Sequence, residues 1–314
     1  RLARRIRAIS PSLTLAISAK AKAMKEAGEN VISFGVGEPN FNTPAHIVEA
    51  AEQALELGHT KYTPSSGLLE LRRAICEKFK RDNGLEYDSS QIIVSNGAKH
   101  SIFNVCYALL NEGDEVIIPA PYWLTYPEVV KTCGGVPVVV KASKSNGYKI
   151  TPEQLKAAIT PKTKLFIFNS PCNPTGAVYS EEEVRALAKV CEEAEIFVLS
   201  DEIYEKLVYG NATPFSMAAC SEKMKELTVT VNGVSKTYAM TGWRIGYLAA
   251  PKDIAKAIDS FQSHASSNAN SIAQYATITA LSSPEASVEE MVAIFAKRRE
   301  AMLKRIAEME GVSC

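Results

Sequence analysis

Thr163-Lys-Leu-Phe-Ile-Phe-Asn169 runs directly into Ser170-Pro-Cys-Asn-Pro-Thr-Gly176. A strand with one wet face alternates apolar and polar residues. Leu165 to Phe168 do not alternate, which predicts a strand covered on both faces. The two prolines after it end the strand and fix the backbone of the following turn. The same pattern recurs outward along the chain. Apolar strands are predicted at Gln91–Ser95, Asp114–Pro119, Val136–Lys141, Ile196–Ser200 and Leu227–Val231. Helical segments stand among them at Pro44–Leu57, Leu68–Asn83, about Lys99–Leu110 and Ser180–Ala194. This predicts an α/β fold with a mostly parallel central sheet covered by helices. A helix over 13–27, ended by Gly28, and a short strand at Val31–Phe34 are predicted before it. Helices dominate after Lys252, and the last runs from Ser287 to about Glu310.

The bulk numbers narrow the function. A chain of 314 residues favours a large domain plus a smaller one. Lys+Arg and Asp+Glu balance at 35 each, so no basic field favours nucleic acid. No apolar run approaches the roughly 20 residues of a membrane span. Seven scattered cysteines without a CxxC pair read as reduced thiols in a cytoplasmic compartment. Four dispersed histidines suggest no metal site. Residues 1–25 carry seven basic residues and no acid. A transit peptide has that look, but Ser10-Pro-Ser-Leu-Thr14 reads as a cap leading into an ordered helix.

In open α/β sheets, ligands sit beyond the carboxyl ends of the strands. Asn96-Gly-Ala-Lys99 is a glycine turn opening a helix, and Gly97, Ala98 and Lys99 offer backbone N–H groups to a phosphate. Trp123 follows the next strand and can stack on a planar ring. Asn173 sits between two prolines as a hydrogen-bond donor. Asp201 ends a strand and can pair with a protonated ring nitrogen, while Tyr204 can donate to a phenolate. Gly233-Val-Ser-Lys-Thr-Tyr-Ala-Met-Thr-Gly-Trp-Arg244 adds an amine at Lys236, with small neighbours, and a phosphate clamp at Arg244. Taken singly, each feature is an ordinary cap, anchor or surface charge. Together they match one cofactor, pyridoxal 5′-phosphate (PLP).

On these residues the chain resembles the class I aminotransferases of the PLP fold-type I superfamily, and most closely their bacterial-type aspartate aminotransferase branch. Further matching segments are Gly35-Val-Gly-Glu-Pro39, Lys61-Tyr-Thr-Pro-Ser-Ser-Gly67 and Pro121-Tyr-Trp123. The resemblance implies that Lys236 carries PLP and acts as general acid and base. Asp201 keeps the ring nitrogen protonated, and Asn173 and Tyr204 bond the phenolic oxygen. Arg244, Ser235 and the Gly97–Lys99 backbone hold the phosphate. Tyr62 reaches the phosphate of a neighbouring subunit, which implies a homodimer. Gly37, Lys99, Trp123 and Asn173 face the substrate, with Lys99 pairing the distal carboxylate of aspartate.

The resemblance also implies an arm and small-domain segment at 1–40, a large PLP domain at 41–285 and the start of a C-terminal small domain at 286–314. Family members continue for several dozen residues past the position of Cys314, and that part carries an Arg that clamps the substrate α-carboxylate. The smaller α/β domain is therefore expected to be incomplete, and activity of this chain impaired. Arg298 and Arg299 lie in a charged helix that does not match that motif. The implied reaction is ping-pong transamination between an amino acid, foremost aspartate, and 2-oxoglutarate. An aromatic/prephenate or other class I aminotransferase, a PLP lyase and a non-catalytic paralogue stay open. A dinucleotide site at Gly35-Val-Gly37 is disfavoured, because Asn40 stands where the third glycine belongs.

Overall fold

The computed structural model describes residues 1–35 and 37–314. Val36, inside the Gly35–Pro39 segment, lies outside the described residues. Seven strands form one sheet: β1 Ile92–Ser95, β2 Glu115–Ala120, β3 Val136–Lys141, β4 Thr163–Asn169, β5 Phe197–Asp201, β6 Thr228–Gly233 and β7 Gly246–Ala249. Their order is β1-β7-β6-β5-β4-β2-β3. Every pairing is parallel except the two made by β7, which is antiparallel to β1 and to β6. The helices are α1 Arg4–Arg7, α2 Leu13–Glu26, α3 Ala45–Glu56, α4 Leu69–Asn83, α5 Ala98–Leu109, α6 Thr125–Thr132, α7 Pro152–Ala158, α8 Glu181–Ala194, α9 Glu222–Leu227, α10 Lys252–Ala265, α11 Ser271–Ser282 and α12 Ala286–Ala307. Among the described residues, no helix is long and apolar enough to cross a membrane.

Strand β4 shows why its sequence is apolar without a break. Leu165 and Ile167 pack on one face with Ile102 and Val105 of α5 and Ile258 of α10. Phe166 and Phe168 point the other way, against Val184 and Leu187 of α8. Both faces of the strand are dry, so both sets of side chains are apolar. A third cluster joins Ile47, Leu71, Ile75 and Phe79 of α3 and α4 to Ile92, Val94 and Tyr247 of β1 and β7.

Two expectations need correction, and one strand was not foreseen. Val31–Phe34 forms no strand; Ile32 and Phe34 are 80% and 84% exposed. The β-branched pattern is present, but among the described residues no strand of the sheet pairs with it. Strand β3 is not covered on both faces, because it is the sheet's edge and leaves Val136 and Val139 exposed. Strand β7 was not anticipated. It is four residues long and starts at a glycine, too little for periodicity to show.

Strands β1, β2, β4, β5 and β6 all end at one rim of the sheet. That follows from the pairings, because β7 is antiparallel to both neighbours and so leaves β1 parallel to β6. Gly246, where β7 starts, lies level with Ser95 on one side and Gly233 on the other. The turn after β1 and the loop after β6 are thereby set against one another.

Candidate active site

The Gly97 turn is shaped by steric exclusion. Gly97 caps α5 with φ 87°, a conformation that favours glycine. A Cβ there would lie 2.2 Å from Arg244 Nη2. A Cβ on Gly246 would lie 2.1 Å from the Ala98 nitrogen. The turn is therefore held between the start of β7 and the Arg244 guanidinium, with room for hydrogen only. Arg244 donates from Nη1 to the Thr241 carbonyl at 2.9 Å and from Nη2 to the Asn96 carbonyl at 3.4 Å. Among the described residues no carboxylate pairs with it, and the Ala98 and Lys99 N–H groups meet no acceptor. A guanidinium beside the open start of a helix is a cradle for a dianion such as phosphate.

Asp201 ends β5 and is buried, with 2% exposure. Tyr126 donates its hydroxyl to Oδ2 at 2.7 Å, and the Ile203 N–H donates to Oδ1 at 3.2 Å. Burial pushes the Asp201 carboxyl up to about 6, against the pull of those two donors. A cation beside it would reverse that cost. The backbone around it is tied by Asn169, whose Nδ2 donates to the Asp201 carbonyl at 2.9 Å while its Oδ1 accepts from the Asn173 N–H at 2.8 Å. One amide thus links the Asp201 strand to the loop carrying Asn173. Neither Tyr126 nor Asn169 stood out in the sequence. A tyrosine in an amphipathic helix and an asparagine at a strand end read as packing and capping.

Gly37, Asn173, Tyr204 and Lys236 line a single cleft of about 890 Å³. Lys236 donates to the Gly37 carbonyl at 2.6 Å, and its Nζ lies 5.8 Å from the Tyr204 ring centre. Asn173 Nδ2 donates to the Tyr204 hydroxyl at 3.4 Å. Burial lowers the Lys236 pKa; Glu38 opposes this and Arg244 adds to it. The result is an amine nearer its free-base form than an exposed lysine. Tyr204 moves the other way, pushed up to about 12 first by burial and then by Asp201, so it stays a proton donor.

Trp123 meets Tyr126 edge-on at 5.5 Å, one contact from Asp201. Lys99 Nζ sits 4.9 Å above the Trp123 ring. Desolvation, then the charge of Arg244, lower the Lys99 pKa. Ser235 is buried next to Lys236, and its carbonyl accepts from Met240 at 3.1 Å. Tyr62 is the outlier. It is 90% exposed and lines a different depression, beside Asn270 and Ser271.

A buried carboxylate, a tyrosine hydroxyl bonded to an asparagine amide, a lysine of lowered pKa and a guanidinium beside an open helix start suit a PLP enzyme of fold-type I. The chain belongs to the family of class I and II aminotransferases, whose model matches residues 29–314. It is 54% identical to the aspartate aminotransferase of Bacillus subtilis (strain 168) over 314 residues, 100% of this chain and 80% of that protein. It is 48% identical to the aspartate/prephenate aminotransferase of Cereibacter sphaeroides, over 98% of this chain and 77% of that one. The crystal structure of the Rhizobium meliloti aspartate aminotransferase superposes with a TM-score of 0.96 at 44% identity, covering 99% of this chain and 78% of that one. The aspartate aminotransferase of Thermus thermophilus with maleate gives 0.89 at 43% identity, with 98% and 78% covered. The cofactor is PLP, and the substrates are amino acids and 2-oxoacids.

Proposed function

We propose that the chain transfers the amino group of aspartate to 2-oxoglutarate by a ping-pong scheme, donor and acceptor using one cleft in turn. The carrying observation is the convergence of Gly37, Asn173, Tyr204 and Lys236 on that cleft, with Asp201 buried at the end of β5, three residues before Tyr204. Bound PLP supplies an aldehyde for an amine to join and a ring that draws electron density from the substrate α-carbon. The residues supply the rest. Arg244, Ser235 and the N–H groups of Ala98 and Lys99 would hold the phosphate. Asp201 would face the ring nitrogen as its counter-charge, kept in place by Tyr126 and Asn169. Asn173 and Tyr204 would donate to the phenolic oxygen, and Trp123 would cover the ring. Lys236 Nζ would take the proton from the donor's α-carbon and, in the second half of the cycle, give one to the α-carbon of the acceptor, a task suited to its lowered pKa.

Lys99 is the proposed partner of the distal carboxylate. It stands over Trp123, and the Thermus thermophilus relative was solved with maleate, a four-carbon dicarboxylate. Several relatives are named aspartate/prephenate aminotransferases, which supports prephenate as a second acceptor. The dimer reading rests on Tyr62, exposed and remote from its own cleft, and on the bare apolar side chains of Leu13, Leu15 and Ile17. Residues 1–40 and 286–314 are assigned to small-domain segments flanking the large domain of 41–285, because Arg298 donates to Asn40 at 2.6 Å. Seven free thiols support a cytoplasmic setting.

A panel of amino donors with 2-oxoglutarate and prephenate tests the substrate. Aspartate and glutamate should lead it. Borohydride trapping followed by peptide mass mapping tests the site. Cofactor trapped on the Lys236→Ala protein would refute the assignment.

A further inference from the structure

The loop that carries Tyr62 is fastened to α11 at four points. The His59 ring stacks on Tyr275 at 4.2 Å. Ser271 Oγ donates to the Lys61 carbonyl at 2.7 Å. Gln274 Nε2 donates to Thr63 Oγ1 at 3.0 Å, and Gln274 Oε1 accepts from the Leu68 N–H at 2.8 Å. Gln274 is 0% exposed, and its remaining proton goes to the Ala269 carbonyl at 2.9 Å. The residues either side of Tyr62 are thus clamped, while Tyr62 itself is 90% exposed. Ordering a backbone around a bare aromatic ring costs conformational entropy without gaining burial inside the subunit. Such a ring is prepared for something outside it.

We infer that Gln274, assisted by Ser271, is a positioning residue for the cofactor site of the other subunit, acting through the Tyr62 loop. The inference rests on the proposal that Tyr62 serves the neighbouring site. It adds a residue that touches neither cofactor nor substrate. Both protons and the oxygen of the Gln274 amide are engaged, by Thr63 Oγ1, the Ala269 carbonyl and the Leu68 N–H, and the side chain is fully buried away from any ligand. A purely structural glutamine would disturb its own subunit. A positioning one disturbs the partner's site.

Hybrid dimers separate the two. One subunit carries Lys236→Ala, so only the other can link the cofactor covalently. Gln274→Leu is placed either in the Lys236→Ala chain or in the intact chain. Cofactor affinity is read from the absorbance of the Lys236-linked cofactor during a PLP titration. With Gln274→Leu in the Lys236→Ala chain, affinity at the intact site should fall about tenfold, the worth of one or two misplaced hydrogen bonds. With Gln274→Leu in the intact chain, affinity should not change. The reverse pattern, or an equal loss in both placements, overturns the inference. Ser271→Ala removes a half-exposed clamp and gives the same readout should Gln274→Leu fail to fold. Tyr62→Phe is the reference. If it weakens only the site of its own chain, the neighbouring-subunit proposal itself falls. If it acts across the interface while Gln274→Leu does not, only the positioning inference falls.

Discussion

Replacing Asp201 by Asn should stabilise the cofactor-free protein while crippling the holoenzyme. The carboxyl is 2% exposed, and burial lifts it from 3.8 to about 6. That displacement corresponds to about 3 kcal/mol for holding the charge at neutral pH. The folded chain keeps this proton more tightly than the unfolded chain. Between about pH 4 and pH 6 it binds more protons, and stability falls as pH rises through that window. Asn carries no charge and avoids the loss. It weakens the 2.7 Å bond from Tyr126, which returns about 1 kcal/mol. Cofactor-free Asp201→Asn should therefore exceed the wild type by about 1–3 kcal/mol at pH 8, and the two should converge near pH 4. Urea unfolding of both proteins at four pH values measures this. With PLP bound the order should invert, because the ring nitrogen loses its counter-charge and activity falls by about 100-fold or more. A cofactor-free Asp201→Asn protein that is less stable than wild type, by the same margin at every pH, would refute the reasoning.

Two further substitutions test the remaining parts of the site. Gly97→Ala puts a methyl group 2.2 Å from Arg244 Nη2 and strains a φ of 87°, so PLP affinity should drop by about tenfold or more while circular dichroism stays native. Lys99→Ala should reduce kcat/KM for aspartate by about tenfold or more and leave alanine turnover nearly unchanged, as steady-state kinetics on both donors will show. An unchanged ratio would remove Lys99 from substrate recognition.

The sequence made the sheet's apolar strands and one cluster of candidate residues legible. Lys236, Asn173, Tyr204 and Gly37 share a cleft because each follows a strand or loop whose apolar run or glycine was visible. What escaped depends on neighbours distant in the chain. Tyr126 matters only because its helix brings the hydroxyl to a carboxylate 75 residues away. Asn169 reads as a strand end until β5 lies beside it. Val31–Phe34 had strand chemistry and no strand to pair with. Gln274 sits in a helix of mostly small and apolar residues, where nothing marks it from a chance polar substitution. Periodicity reports which face is dry. It does not report which side chain lies across from another.

Strand β7 is last of the seven in the chain, yet it occupies an inner place in the sheet. Without Gly246–Ala249 in place, β1 has no strand partner, and the turn at Gly97 has no floor beneath it. The pocket between the Gly97 turn and Arg244 is therefore complete only when β7 is docked against β1. An anion retained there would report that two segments about 150 residues apart have met and stayed together.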